Sequence, residues 1–538
     1  MYVRPTIVVV LLVGLLGAVL SRTVFPRYLT ILAVIGITFW LQGNVLEWNY
    51  SVLDGRSIDW TQGVWRGWVD MGIWIAVLSF AVLANLQWQR LIVQFAIGVF
   101  ALQLVLGALT VVRSADQLTT NPLLSATPNA LNEFHGYSSK ANVLHIIADG
   151  FQADIFDEIV NEENGRSLRD GLEGFVFYKE HLGAFPLTHM TVPALLSGKI
   201  YTNQMPINDF LNDAIGGETI LSAAHDAGYE VDLAVPGSLG YMYTKAPHTN
   251  AYFVPNNAHV TSAQSGVYDA TKLFDLSLFR IAPHFLKKYI YNDQLWLVQS
   301  RLSEKKYMGL AFFSHVAFLR SMQENISVHR QRPVYKLVHL MLSHNPMVAN
   351  EQCDYAGKIL PTIRYTAKIQ ARCSLIEIVA LFDKMKSQGI YDNTTIILMA
   401  DHGTWARAKG VIGEQSEDGK YIGGLDPQMV SLAHPLMAIK LPNASDAMTT
   451  STVYSSIIDT AATIANAMHL DSKIGGRSIL ELTEGEPRSR RHYYYKYRKD
   501  DWDAEFLGPI LEFIVEGPVL DTNSWRVGRL FAIDGRLE

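Results

Sequence analysis

The chain has 538 residues, 49% of them hydrophobic, and a mean hydropathy of +0.11. That length implies roughly two to four domains, and the hydropathy is unusual for a soluble protein and points to membrane segments. A formal net charge of −6 gives a nucleic-acid partner no global electrostatic support.

Hydrophobicity is concentrated before residue 113, in four runs: Ile7–Leu20, Tyr28–Leu46, Val69–Leu86 and Leu91–Val112. A membrane-crossing helix needs about 20 mostly apolar residues. The last three runs fit. The first reaches that length only with its flank, and by itself resembles a signal-peptide core. No small-residue cleavage site follows it, so we expect about four uncleaved helices over residues 1–113. Arg22 and Arg27 lie in the first loop and Arg90 in the third, whereas the second, Glu47–Trp68, mixes both signs of charge. Basic short loops stay in the cytoplasm, so everything after Arg113 is expected outside it. Trp60, Trp65 and Trp68 suit an interfacial aromatic belt. Residues 114–140, polar and holding Pro122 and Pro128, read as a juxtamembrane linker.

Beyond the linker the pattern is α/β. Asn142–Ala148 (NVLHIIA) reads as a buried strand ending in Asp149-Gly150, followed by a helical stretch, Asp154–Asn161. Phe185–Tyr201 is a hydroxyl-bearing segment in which Thr188 could start a helix and face an anion. Glu218–Gly228 reads as a helix and Tyr229–Val235 as the next strand. Cys353 and Cys373 are not in a zinc-type spacing; in an exported domain they could pair, and the alternative is two buried thiols. Ile363–Gly389 is a long helical pattern. Asn393–Ala400 is another buried strand, ending in Asp401-His402-Gly403. Strands alternating with helices predict a mostly parallel central sheet covered on both faces. Acids at two strand ends, one followed by a histidine, suit a cation. His145 is expected to pack inside its strand, and His189 carries no specific signal. Arg488–Lys499 (RSRRHYYYKYRK) could meet anionic lipid or a glycan phosphate; the plainer expectation is an exposed strand with solvated charges. Leu511–Val515 reads as a strand.

Together these segments resemble the alkaline phosphatase/sulfatase superfamily. Gly198 stands ten residues after Thr188, as the Gly of T-G stands after the nucleophile in arylsulfatases and nucleotide phosphodiesterases. Thr188 also lies five residues before Pro193, the spacing of phosphoethanolamine transferases. The runner-up, Thr191, fits none of these spacings. The resemblance implies a nucleophilic Thr188 and a metal held by Asp149, Thr188, Asp401 and His402. His339-Leu-Met-Leu-Ser-His344 resembles the transferases' paired histidines, which implies that His339 and His344 bind substrate or a second metal, with His344 also catalytic. His434 resembles a further site histidine. Two features depart from relatives. Asp149 stands where phosphoethanolamine transferases and lipoteichoic acid synthases usually carry Glu, and Gly150 where sulfatases carry a second Asp. Threonine cannot become formylglycine, which disfavours sulfate-ester hydrolysis.

The resemblance further implies a sulfatase-like catalytic domain over residues 141–485, with residues 486–538 packed on it. It implies a Zn²⁺ or Mn²⁺ cofactor and transfer of phosphoethanolamine or phosphoglycerol from a membrane phospholipid donor to a cell-envelope glycan or lipid acceptor. The alternative is a membrane-anchored phosphodiesterase or sulfuric ester hydrolase, and a third reading is a non-catalytic lipid-binding member. The expected place is a bacterial-type inner membrane, multi-pass, with a periplasmic catalytic domain.

Overall fold

A computed structural model describes residues 14–46 except 16, then 48, 50, 60–120 except 62, 133–254, 262–292, 296–302, 311–413, 425–496 except 472, and 504–532. In chain order the elements used below begin with helices α1 (Phe25–Asn44), α2 (Val64–Leu83) and α3 (Leu86–Thr120). Strand β1 (Asn142–Ala148), helix α4 (Ala153–Asn161), strand β2 (Phe175–Tyr178), helix α5 (Thr188–Ser197) and strands β3 (Glu230–Pro236) and β4 (Asn250–Val254) follow. Then come α6 (Ser262–Ile281), α7 (His284–Tyr291), α8 (Ala311–Asn325), β5 (Val334–Leu340), α9 (Arg364–Ser387), β6 (Thr394–Met399), β7 (Met437–Lys440) and β8 (Thr449–Ser451). Strands β9 (Arg490–Tyr494), β10 (Ile510–Val515) and β11 (Trp525–Phe531) end the chain's described structure.

The chain forms two compact units, Met1–Ser125 with Val260–Met308, and Ala126–His259 with Gly309–Glu538. The segment 260–308, expected inside the catalytic domain, therefore groups with the N-terminal helices.

In the first unit α1, α2 and the Leu86–Leu109 part of α3 are long and apolar enough to cross a membrane. At 1.5 Å per residue, 20 residues of α1 or α2 span about 30 Å, the thickness of a bilayer's hydrocarbon core. Thr30 and Thr38 return their hydroxyls to the carbonyls of Pro26 and Val34, both at 2.8 Å, so α1 presents no unpaired hydroxyl there. The run Ile7–Leu20 lies mostly outside the described residues; among these, three candidate spans are present. Helix α3 continues to Thr120, past the expected end at Val112 and into the segment read as linker.

Small residues admit the inserted segment. A Cβ on Gly67 would come within 2.5 Å of the Phe285 ring, and one on Gly43 within 3.0 Å of Ile281 Cγ2. Asp70, wholly buried in α2, accepts from Gln42 Nε2 (3.1 Å), Trp48 Nε1 (3.0 Å) and the His284 backbone N–H (2.8 Å). Trp60 packs with Tyr50, Phe279 and Tyr291 instead of facing lipid, whereas Trp65 and Trp68 are exposed. Removing the Asp70 carboxylate strands three donors, two of them buried, and each buried one costs about 1–3 kcal/mol. Asp70→Ala is therefore expected to destabilise this unit by about 3 kcal/mol or more. Faster proteolysis within Gln299–Leu302 in detergent would report it, and unchanged cleavage would refute the linkage.

The second unit is built on an eight-stranded sheet of order β8–β2–β7–β6–β1–β5–β3–β4. Only β7 runs against its neighbours. Alternation along the strands explains why both faces are covered. In β1, Leu144 and Ile146 enter one apolar core while Val143 and Ile147 enter the other; in β6, Ile396 and Leu398 part from Ile397 and Met399 in the same way. Helices α4, α8 and α9 supply the first core and α5 the second. His145 packs as expected, between the Tyr335 hydroxyl (3.0 Å) and Met399 Sδ (3.1 Å); burial and the nearby His339 hold its pKa down to about 3.

Cys353 and Cys373 are joined by a disulfide that closes 20 residues of chain onto α9. A loop of that size confers about 3 kcal/mol. Cys353→Ser with Cys373→Ser should lose about that much in chemical denaturation, and equal stability would refute it. The basic tract is a solvated face only in part: Arg491 and Lys496 are exposed, and two other arginines are not free in solvent. Arg488 makes two 2.6 Å bonds to the buried Asp459 carboxylate, and Arg490 is buried against the carbonyls of Glu180, Ser455 and Gly517. Its residues 497–499 lie outside the described ones.

Candidate active site and metal centre

Strands β6, β1 and β5 are adjacent and parallel, with Met399 beside Ile147 and Ile147 beside His339. Their carboxyl ends therefore release Asp401-His402, Asp149 and the His339–His344 segment into one crevice, where open α/β sheets hold ligands. Opposite them α5 begins. Thr188, its first residue, points Oγ1 at Asp149 Oδ2 (3.4 Å) and His402 Nε2 (3.3 Å). Thr191 turns its hydroxyl away, onto the Leu187 carbonyl at 2.8 Å. Geometry thus separates the two threonines as spacing does.

Two ligand groups share one carboxylate: Asp149, His344 and His402, and Asp149, His339 and Asp401, each with its donor atoms within 4.8 Å of one another. His402 Nε2 lies 3.6 Å from both Asp149 Oδ1 and Asp401 Oδ2, and His339 Nε2 lies 3.3 Å from Asp149 Oδ2. Asp149 Oδ1 and Asp401 Oδ2 are buried without a hydrogen-bond partner. Unpaired buried carboxylate oxygens are costly unless a cation meets them. With imidazole nitrogens beside them, the donor set fits Zn²⁺ or Mn²⁺.

Electrostatics agree. Burial opposes the charge on Asp149, but His344, the hydrogen bond from His339 and the charge of His402 hold its pKa well below the usual carboxylate range. Burial pushes His402 down, and Asp401, Asp149 and the Gly403 carbonyl outweigh it and raise its pKa. The cluster thus favours positive charge.

Neighbouring groups orient these rings. A carbonyl can only accept, so Nδ1 of His402 donates to Gly403 (2.6 Å) and Nδ1 of His344 to Asn345 (2.6 Å). Both Nε2 atoms are left for the site. Gly150 lets the His344 loop approach: its φ is +74°, and a Cβ would lie 3.2 Å from His344 Cα. Gly198 ends α5 at φ +71° against the Gly475 carbonyl, where a Cβ would come within 2.7 Å.

Two residues gave no signal in the sequence. The Tyr243 hydroxyl meets His339 Nδ1 at 2.8 Å, and burial pushes its pKa well up, so it stays a hydroxyl. His315, on α8, accepts the Met341 N–H at 2.7 Å and so fixes the start of the His344 loop. Their partners are 96 and 26 residues away in sequence, beyond any local pattern. His434 belongs to neither ligand group: its Nε2 donates to the Lys179 carbonyl at 2.8 Å, and its own carbonyl accepts from Ala153. It ties loops together beside the site. His189 is buried with its ring edge-on to Tyr241, 5.7 Å between centroids.

The family model described as Sulfatase matches residues 141–470. The chain belongs to the sulfatase family. It is thus an enzyme of the alkaline phosphatase superfamily, with three long apolar helices among the described residues ahead of its sulfatase domain. Among solved structures, this sulfatase-family chain is similar to Ps i-CgsB at 15% identity, covering 74% of this chain and 87% of that one, with a TM-score of 0.44. The lipoteichoic acid synthase LtaP from Listeria monocytogenes is 12% identical, with coverages of 76% and 92% and a TM-score of 0.40. The phosphonate monoester hydrolase SpPMH from Silicibacter pomeroyi is 14% identical, with coverages of 74% and 90% and a TM-score of 0.43. No curated protein matches the chain.

Proposed function

We propose that this sulfatase-family enzyme transfers a phospho-headgroup, phosphoethanolamine or phosphoglycerol, from a membrane phospholipid to a cell-envelope glycan through a covalent intermediate on Thr188. The observation that carries the reading is the Thr188 hydroxyl at the start of α5, directed at Asp149 and His402. A threonine there supports phosphoryl over sulfuryl chemistry, because formylglycine cannot be made from it. The apolar helices support a lipid donor.

A divalent cation held by Asp149, Asp401 and His402 would neutralise phosphate oxygens and lower the pKa of the Thr188 hydroxyl. Thr188 directs its proton toward Asp149 Oδ2, and its oxygen attacks phosphorus. The backbone N–H groups opening α5 face the phosphate. As the bond from phosphorus to diacylglycerol breaks, His344 Nε2 gives a proton to the leaving oxygen. In the second step a glycan hydroxyl attacks phosphorus, His344 takes its proton, and the bond to Thr188 Oγ1 breaks as Asp149 Oδ2 returns the proton to that oxygen. Tyr243 keeps His339 aimed at the shared carboxylate.

The proposed setting is the inner membrane, with catalysis on the periplasmic side. Arg22, Arg27 and Arg90 fall at one end of α1–α3, the end expected in the cytoplasm. Segment 260–308, threaded into the catalytic chain, packs near the opposite end, against Gly43 and Gly67. A disulfide fits an oxidising compartment.

The test is the mass of the Thr188 peptide after metal-loaded full-length enzyme meets vesicles of phosphatidylethanolamine or phosphatidylglycerol. An added phosphoethanolamine or phosphoglycerol supports the reading and names the donor. An unmodified peptide with rapid headgroup release into water would overturn it in favour of a hydrolase.

A further inference from the structure

Residues 260–308 interrupt the catalytic chain yet pack among the apolar helices. Their contacts fix a depth. Helix α6 meets α1 at Gly43, one residue before that helix ends, and α7 meets α2 at Gly67, in its first turn. The Phe285 ring of α7 stands edge-on to Trp68, 5.7 Å between centroids. Trp68 and Trp65 are 63% and 58% exposed, at the end of a span where tryptophans mark the membrane–water boundary. The protein-averted side of α7 continues this surface, with Leu286 at 53% and Tyr289 at 60% exposure. On α6, Leu273 and Phe274 are also exposed, and the next exposed position on that face, Ser277, turns its hydroxyl onto the Leu273 carbonyl at 2.8 Å.

The charges match. Lys288 and Arg301 are exposed here, with the Lys288 ammonium 4.8 Å from the Tyr289 ring. Asp275, the one acid of this segment whose side chain is described, is buried and bonded to the N–H groups of Val298 and Gln299. An apolar face rimmed by cations is the pattern of a helix lying in a lipid headgroup layer.

We propose that α7, with the exposed face of α6, lies in the interfacial layer of the bilayer on the side where α1 ends and α2 begins, Leu286 and Tyr289 among the acyl chains and Lys288 at the phosphates. The occupant of this surface is phospholipid. The proposal rests on the membrane reading of α1–α3 and on none of the transfer chemistry.

The two cysteines are paired, so an introduced cysteine is the only free thiol to carry a nitroxide. Leu286→Cys and Tyr289→Cys are compared, in full-length enzyme in phosphatidylglycerol-containing nanodiscs, with Ile97→Cys on the lipid-facing side of α3 and Lys358→Cys on the catalytic unit. Labels at 286 and 289 should collide with oxygen more than with an aqueous nickel chelate, as at position 97. Collision with nickel as at position 358 would overturn the proposal. So would shielding from both reagents, which means a covering protein surface. If position 97 also meets nickel, the membrane reading itself has failed.

Discussion

Thr188→Ala is expected to abolish headgroup transfer, lowering kcat by about 10⁵–10⁶-fold, the scale on which loss of a covalent nucleophile is felt. The side chain is small and lies at a helix start, so folding should survive. Thr188→Ser keeps an oxygen at the same place and should retain measurable turnover and the adduct. Together the two variants separate a nucleophile from a mere helix-starting residue. The Thr188→Ala helix loses little but a hydroxyl, because Leu187 caps it with no side-chain bond and Thr188 bonds only to the site. Diacylglycerol release from labelled phospholipid would check this. Residual turnover within tenfold of the parent would remove Thr188 from the chemistry and leave the cluster acting on water.

Asp401→Asn should have opposite effects on the empty and the loaded protein. Asp149 and Asp401 hold oxygens without a hydrogen-bond donor in one buried crevice, and their like charges repel, offset by the His402 imidazole 3.6 Å from each. Neutralising one should leave the metal-free protein as stable or more so. Metal affinity should fall by more than about 100-fold, the upper end of what groups one step further from a metal produce. Thermal unfolding with and without chelator reads both: the parent's gain on adding Zn²⁺ or Mn²⁺ should vanish in the variant. A variant that binds metal as tightly as the parent would exclude Asp401 as a ligand. His434→Ala should leave metal content unchanged, because His434 bonds to the Lys179 backbone and stands in neither group.

Much of the catalytic unit could be read from the chain because its strands are buried on both faces. NVLHIIA and NTTIILMA are unbroken apolar runs ending in acids, and they became β1 and β6 with ends shifted by at most one residue. The long helix to Gly389 and the strand near Leu511 were legible for the same reason, a sustained local period. What escaped depends on distant partners. Arg488 and Arg490 look like solvated charge until Asp459 and the carbonyls of Glu180 and Gly517 fold around them. His434 has the sequence setting of a ligand, but the loop carrying Lys179 takes its Nε2. Tyr243 and His315 serve histidines that no periodicity connects to them. Apolar composition likewise cannot say that α6 and α7 join the first helices, since it fixes no partner.

The Asp70–His284 bond joins residues 214 apart. A ribosome adding about 5–20 residues per second needs roughly 10–40 s to cover that distance. Through that interval the nascent helices hold a carboxylate whose last donor has not been made. Their assembly must finish after the first strands of the catalytic sheet have been synthesised, so these helices do not mature as a separate unit. A fragment cut after Ser125 should be cleared by quality-control proteases, and one beginning at Ala126 should carry a sticky, half-docked loop.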